Sequence, residues 1–228
     1  MLQIDVKKTI LLVVVICLHN AFASAKNSVW LEKLDSILAV SENIVAEKNN
    51  KIAMLKQMAA KETNTSLLLK RYWELSEEYY VFKFDSAKIY VEKGLALARK
   101  TNNRRYVVAN SIMLAKLLAI GGLYSEAISN LSKINPESLE PDLFFDYHIA
   151  YFTIYSYWAD YCNDNTYSPI YKEKSNACLK KAVDYIDKNS EAYDYYMGEY
   201  HVYVDKDDNK ALKHYFKTLE KNGMTSRY

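Results

Sequence analysis

Histidines, cysteines and paired carboxylates are the side chains that could carry chemistry in this chain. His148, His201 and His214 would be the candidates for proton transfer or metal ligation. A metal site sets its histidines at fixed short offsets on one face, and these three are scattered over two helical hairpins at spacings that fit no ligand set. They read as ordinary, partly buried histidines. Asp160 and Asp164 bracket Cys162, but the trio falls where a helix should end, so the acids read as solvation of that end rather than as an acid/base pair. There is no phosphate-binding glycine loop and no nucleophile elbow. The chain reads as non-enzymatic, and no metal or cofactor is implied.

The unusual residue type is tyrosine, with 21 copies concentrated on helical segments. Tyr147, Tyr151 and Tyr155 recur at i, i+4 and Trp158 continues their face. Tyr72, Trp73, Tyr79 and Tyr80 lie on an earlier helix, and Tyr193, Tyr196, Tyr200 and Tyr203 on a later one. A tyrosine buries its ring while its hydroxyl still needs a partner or water. Two readings compete for these residues. One is packing between helix hairpins. The other is a concave groove in which Tyr72, Tyr79, Tyr151, Tyr155, Tyr196 and Tyr200 grip a peptide or small polar ligand.

The elements that must position these rings are helices. Five glycines and three prolines in 228 residues fall well below the roughly 12% an average chain carries. β-rich and nucleotide-binding α/β folds need glycine at tight turns and phosphate loops, so an all-α fold is expected. The formal net charge of +2, from 30 basic and 28 acidic residues, lacks the one-sided basic field that nucleic acid requires. The densest basic stretch, Arg99, Lys100, Arg104 and Arg105, is broken by Thr101, Asn102 and Asn103. It reads as a helix end followed by a helix start, with solvated cations complementing the helix dipole.

Residues 1–25 read as a signal peptide. Lys7 and Lys8 precede an apolar run from Thr9 to Leu18, and Ala21-Phe22-Ala23 and Ala23-Ser24-Ala25 supply small residues for cleavage. Ten helical residues rise only about 15 Å, half a bilayer core. Ile16 before Cys17 argues against lipidation, because a lipobox needs a small residue there. An exported, periplasmic protein is expected. Residues 26–62 then form a long N-terminal helix, with a heptad seam through Leu34, Leu38, Ser41, Val45, Lys48, Ile52, Leu55 and Ala59. That seam reads either as one stripe packed on the domain or as a coiled-coil dimer, with a kink or turn possible at Asn49-Asn50.

Residues 63–228 fall into helix pairs. The expected helices are Thr65 to Val81, one capped by Asp85 and running to Thr101, Arg104 to Ile120, Ser125 to Ile134, Asp142 to Tyr161, Pro169 to Asp187, Glu191 to Val204, and Asp208 to Asn222. Each is too short to be stable alone and must bury its stripe on neighbours, which points to a stacked solenoid. Cys162 ends one helix, and Cys178 lies about nine residues up a helix capped by Ser168, some 13 Å from its start. A disulfide needs Cα atoms within about 7 Å, so two buried free thiols are expected.

The run Gly122-Leu123-Tyr124-Ser125-Glu126-Ala127-Ile128, with Leu131 and Ile134 after it and Leu114 and Ala115 before, resembles the second half of a tetratricopeptide repeat. Ala127 fills the small position at which the second helix approaches the first. Degenerate copies are Phe84-Asp85-Ser86-Ala87 with Val91 and Gly94, and Asn209-Lys210-Ala211-Leu212 with Tyr215. The whole chain resembles the periplasmic part of a family of Bacteroidetes proteins of unknown function, membrane-anchored repeat regulators. The resemblance implies further repeats, a membrane span, a coiled coil and a cytoplasmic regulatory region in intact members, so this chain is expected to be a truncated member or a free-standing remnant. It also implies a binding or sensor module that recognises a protein, peptide or glycan-derived ligand. The alternative is a structural adaptor assembling through the N-terminal helix and repeat ends, with a homodimer through an open C-terminal end. In that last helix Phe216 and Leu219 are the residues expected to stay exposed.

Overall fold

The computed structural model describes residues 31–222 other than 33, 34, 37, 40 and 41; the expected signal peptide lies outside them. No strand occurs among the described residues, and the fold is all-α. Contacts along the chain define two units, Met1–Met54 and Leu55–Tyr228. Helix α1 covers residues 42–61 and continues through Asn49 and Asn50 without a break.

The second unit is a series of hairpins: α2 (Thr65–Tyr80) with α3 (Phe84–Lys100), α4 (Arg104–Ile120) with α5 (Tyr124–Leu131), α6 (Pro141–Cys162) with α7 (Tyr167–Val183), and α8 (Tyr193–Tyr200) with α9 (Asp208–Asn222). Polar turn chemistry sets the boundaries. Asn64 caps α2 by accepting from the amides of Ser66 and Leu67, and Asn103 caps α4 by accepting from Tyr106. Asn102 (φ 51°) and Gly122 (φ 78°) end α3 and α4 in the left-handed conformation that asparagine and glycine tolerate best. The closing bonds match: Asn103 N–H donates to Ala98 O at 2.9 Å and Leu123 N–H to Leu118 O at 2.9 Å.

Several boundaries differ from the expected ones. Asp85 lies inside the first turn of α3, whose cap position is Lys83 without a side-chain bond. Asp164, not Ser168, organises the start of α7, accepting from the amides of Thr166 and Tyr167 at 2.6 and 2.7 Å. An Asx turn placed earlier in the loop therefore starts the helix at Tyr167, one residue before Ser168. Helix α5 is short, and Ile134 returns to it through a turn bond to Leu131 O. The eighth helix starts later than expected and winds into a π turn over His201–Asp205, closed by Lys206 at φ 56°.

Small residues let the hairpins close. Ala87, Ala127 and Ala211, the small positions of the repeat-like runs, are buried to 0%, 0% and 1% exposure. Helix α6 is the central strut, with two opposed apolar faces. Tyr147, Ala150 and Ile154 join Ile112, Ala115 and Ala119 of α4 and Ala127 and Leu131 of α5 in one cluster. Ile149 and Phe152 join Leu179 and Ala182 of α7 in another, with Tyr196 and Tyr200 of α8 packed on it. Cys162 and Cys178 are both free and are half-buried rather than buried. Burial pushes the Cys178 thiol up to about 11.

Candidate partner-binding groove

The first helices of the four hairpins, α2, α4, α6 and α8, converge on a small hollow of about 60 Å³. Trp73 and Glu77 reach it from α2, Met113 and Lys116 from α4, Asp146 from α6 and Tyr196 from α8. Glu77 follows Trp73 by one helical turn, and Lys116 follows Met113 by three residues, so each helix presents neighbouring residues of one face. A space this small holds about two waters, far below the roughly 300 Å³ at which small-molecule sites begin. It is a dimple in a contact surface.

The same faces continue toward the C-terminal ends of the first helices. The Lys116 ammonium sits 5.1 Å from the centre of the Tyr80 ring. Tyr80 in turn lines a much larger cleft of about 690 Å³, with Phe82 from the α2–α3 turn, Phe84 from the start of α3, Ile120 from the end of α4, and Tyr157 and Tyr161 from the end of α6. Lys83 and Asp160 add one charge of each sign. Val81 and Tyr161 beside it are 78% and 77% exposed. Burial raises the Tyr124 phenol at the base of this cleft, so the ring remains neutral at physiological pH.

The six tyrosines singled out from sequence do not share this groove. Tyr72 and Tyr79 pack on Tyr90 of α3, at centroid distances of 6.1 and 5.8 Å, and Lys56 lies over the Tyr79 ring. Tyr151 and Tyr155 belong to a file that runs from Tyr147 to Tyr171 of α7, with steps of 5.1, 5.9 and 6.1 Å. Trp158 then bridges Tyr171 at 4.3 Å and Tyr124 at 5.5 Å. That file starts in the cluster shared with α4 and α5 and ends on α7. Burial raises the phenols of Tyr151 and Tyr155. Tyr200 packs on the α6–α7 cluster, and Tyr196 alone of the six lines the hollow, edge-on to Phe145 at 5.2 Å.

The charged members of the groove, Glu77, Lys116 and Asp146, were missed in the sequence, as was Trp73 as a groove residue. Their signal lay in the three- and four-residue spacing along first helices, which shows only once the helices are superposed as repeats. Two histidines also come together against expectation. The His201 and His214 rings stack at 5.4 Å, with Nδ1 of each 2.8 and 2.9 Å from carboxylate oxygens of Asp205 and Asp194 respectively. The α8–α9 hairpin folds residues distant in sequence onto one spot. Among the described residues no three His, Cys, Asp or Glu side chains are grouped to hold a metal ion.

The family described as the SusR N-terminal TPR domain matches residues 38–228. The chain belongs to that family. The match spans nearly all of the described helices, and it accounts for the paired helices and the buried alanines of a tetratricopeptide-like region of a Bacteroidetes family. Comparison with curated proteins and with solved structures gave no match. Tetratricopeptide domains are in general non-catalytic repeat scaffolds that mediate protein interaction or regulation. No helix among the described residues of this family member is long and apolar enough to cross a membrane.

Proposed function

We propose that this domain is a protein-binding module that takes an extended segment of a partner along its first-helix groove. The observation that carries this reading is the continuity of the surface. Trp73, Lys116 and Tyr80 connect a side-chain-sized dimple to an aromatic cleft of about 690 Å³. A concave space of this volume, lined mainly by aromatic side chains with one charge of each sign at its edge, fits a partner's side chains better than bulk water does. The aromatic cleft supplies the anchor pocket for an aliphatic or aromatic side chain. Tyr196 closes the far end of the groove. The groove accommodates a peptide better than a glycan-derived ligand, because its polar side chains are few and of both signs. The compartment proposed for this binding is the periplasm, on the strength of the leader-like residues 1–25.

A photo-crosslinking amino acid placed at Tyr157, which is 42% exposed, tests this in cells. Discrete adducts are expected from position 157, and none from Tyr185, outside the groove. Loss of the adduct when Tyr161→Ala is added would support the cleft as anchor. Adducts at 185 but none at 157 would sink the reading.

A second reading, self-assembly, is favoured by a different observation. Leu38 and Val45, members of the heptad seam, are 53% and 44% exposed, and α9 exposes Leu212, Phe216 and Leu219 at 53%, 62% and 49%. Sedimentation over a concentration series separates the two ends. Leu38→Glu with Val45→Glu abolishes a dimer made by the seam, and Phe216→Lys one made by α9. A monomer at every concentration would eliminate this reading and leave the groove untouched.

A further inference from the structure

A second, chemically distinct cleft lies by the N-terminal half of α4 and shares no lining residue with the groove. It measures about 400 Å³ and is lined by Arg99 at the end of α3, Arg104 at the start of α4 and Lys133 just after α5. Three cations therefore converge from three elements, and no carboxylate lines the space. Of the carboxylates next to the lining in sequence, Glu140 and Asp142 both pair with Arg105, and Glu137 of the Pro136–Ser138 turn does not line the cleft. Among the described residues Arg99 and Lys133 have no ion-pair partner.

The remaining polar groups of the lining are occupied within the fold. The Asn130 amide donates to Glu126 O, and Asn135 accepts from the Glu137 amide. Ser138 accepts from Arg104 Nη2 at 2.5 Å and donates to Asn135 O, which fixes the guanidinium at the rim. The apolar part of the lining, Val108, Ile134 and Leu139, rests directly on the main core cluster. A rigid apolar floor is thus ringed by uncompensated positive charge, next to the amide end of α4, where a helix favours anions.

We propose that this cleft binds a small organic anion of the phosphate monoester class, a tetrahedral dianionic head on a compact apolar body. The head group carries close to two negative charges near neutral pH and presents the oxygen geometry that guanidinium forks match in pairs. The body covers Val108 and Ile134. The volume lies within the usual range for ligand sites.

Calorimetric titration of the whole chain at low ionic strength with 1-naphthyl phosphate tests the assignment. Saturable one-to-one binding is expected, weakened at least tenfold in Arg104→Gln with Lys133→Gln and weakened by added salt. All three groups are exposed, and unchanged melting of the variant confirms that its fold is intact; Lys133→Gln alone serves if the double variant melts early, with a smaller but measurable loss. Lys100→Gln, a neighbouring cation outside the cleft, is expected to bind as the parent does. Inorganic phosphate should bind more weakly and 1-naphthol not measurably. The proposal is overturned by absent binding, by equal weakening in Lys100→Gln, which would indicate a diffuse field, or by 1-naphthol binding as tightly as its phosphate, which would indicate an apolar site only.

Discussion

Gly198 and His148 show how single atoms constrain this fold. A Cβ on Gly198 would meet the Tyr215 ring at 2.5 Å. The ring cannot swing away freely, because the Tyr215 hydroxyl donates to the Glu199 carboxylate at 2.6 Å. Gly198→Ala is therefore expected to cost about 1–3 kcal/mol by overpacking, read from urea unfolding. A cost below about 0.5 kcal/mol would mean that the α8–α9 contact is looser than described. His148 is 8% exposed, lies tilted against the Phe144 ring at 4.4 Å and has no hydrogen-bond partner at Nδ1. Burial first, and Lys181 second, lowers its basicity below the ordinary 6.5. The unfolded chain then takes up a proton near 6.5 while the folded one resists, so stability falls as pH drops through and below that value. His148→Phe should lose less stability than the parent between pH 7.5 and 5.5, measured by thermal melting. An identical pH slope in both proteins would refute the assignment. The histidines looked scattered, yet a hairpin stacks His201 on His214.

At the scale of elements, the contrast between Ala127 and Arg105 separates packing from surface charge. Ala127 is fully buried in the cluster where α5 meets α4 and α6. Ala127→Leu adds volume with no room to receive it and should cost about 1–3 kcal/mol or prevent closure of the hairpin. Arg105 joins the start of α4 to Glu140 and Asp142 before and at the start of α6, and its guanidinium holds the Asp142 carboxyl below its usual range. All three groups are about half exposed, so solvent screens the pairs. Arg105→Ala should cost less than about 1 kcal/mol. Chemical denaturation of both variants checks the ordering, and a larger loss for Arg105→Ala would reverse this account of what holds the hairpins. The helix identities were legible because stripes of apolar residues repeat at 3.6-residue period between polar turn signals. The exact ends were less so, since a polar side chain earlier in the loop can start the helix first, as Asp164 does four residues before Ser168.

For the whole molecule, the order of hairpins sets a gradient of protection. Helix α6 is packed on both sides, against α4 and α5 and against α7 and α8. Helix α9 meets α8 and the π turn, and its other face carries Leu212, Phe216 and Leu219 to solvent. Amide exchange is expected to be faster over 205–222 than over 104–187, because opening the last hairpin breaks one set of contacts instead of two. Equal protection in a dilute sample would show that the hairpins open only together.

What the residues determined by themselves was the class of fold. Scarce glycine and proline, the helical stripes and the small residues Ala87, Ala127 and Ala211 in the repeat-like runs are local properties, and each is sufficient to constrain its own segment. Tertiary structure decided which face of each helix is groove and which is core. Tyr155 and Tyr196 both sit on first helices, yet one meets Tyr171 of a second helix and the other lines the hollow. The side-chain period fixes which residues share a stripe, but a stripe broad enough to touch two neighbours does not say which neighbour it meets. Likewise Arg99, Arg104 and Lys133 become a single site only when three chain segments close around one space.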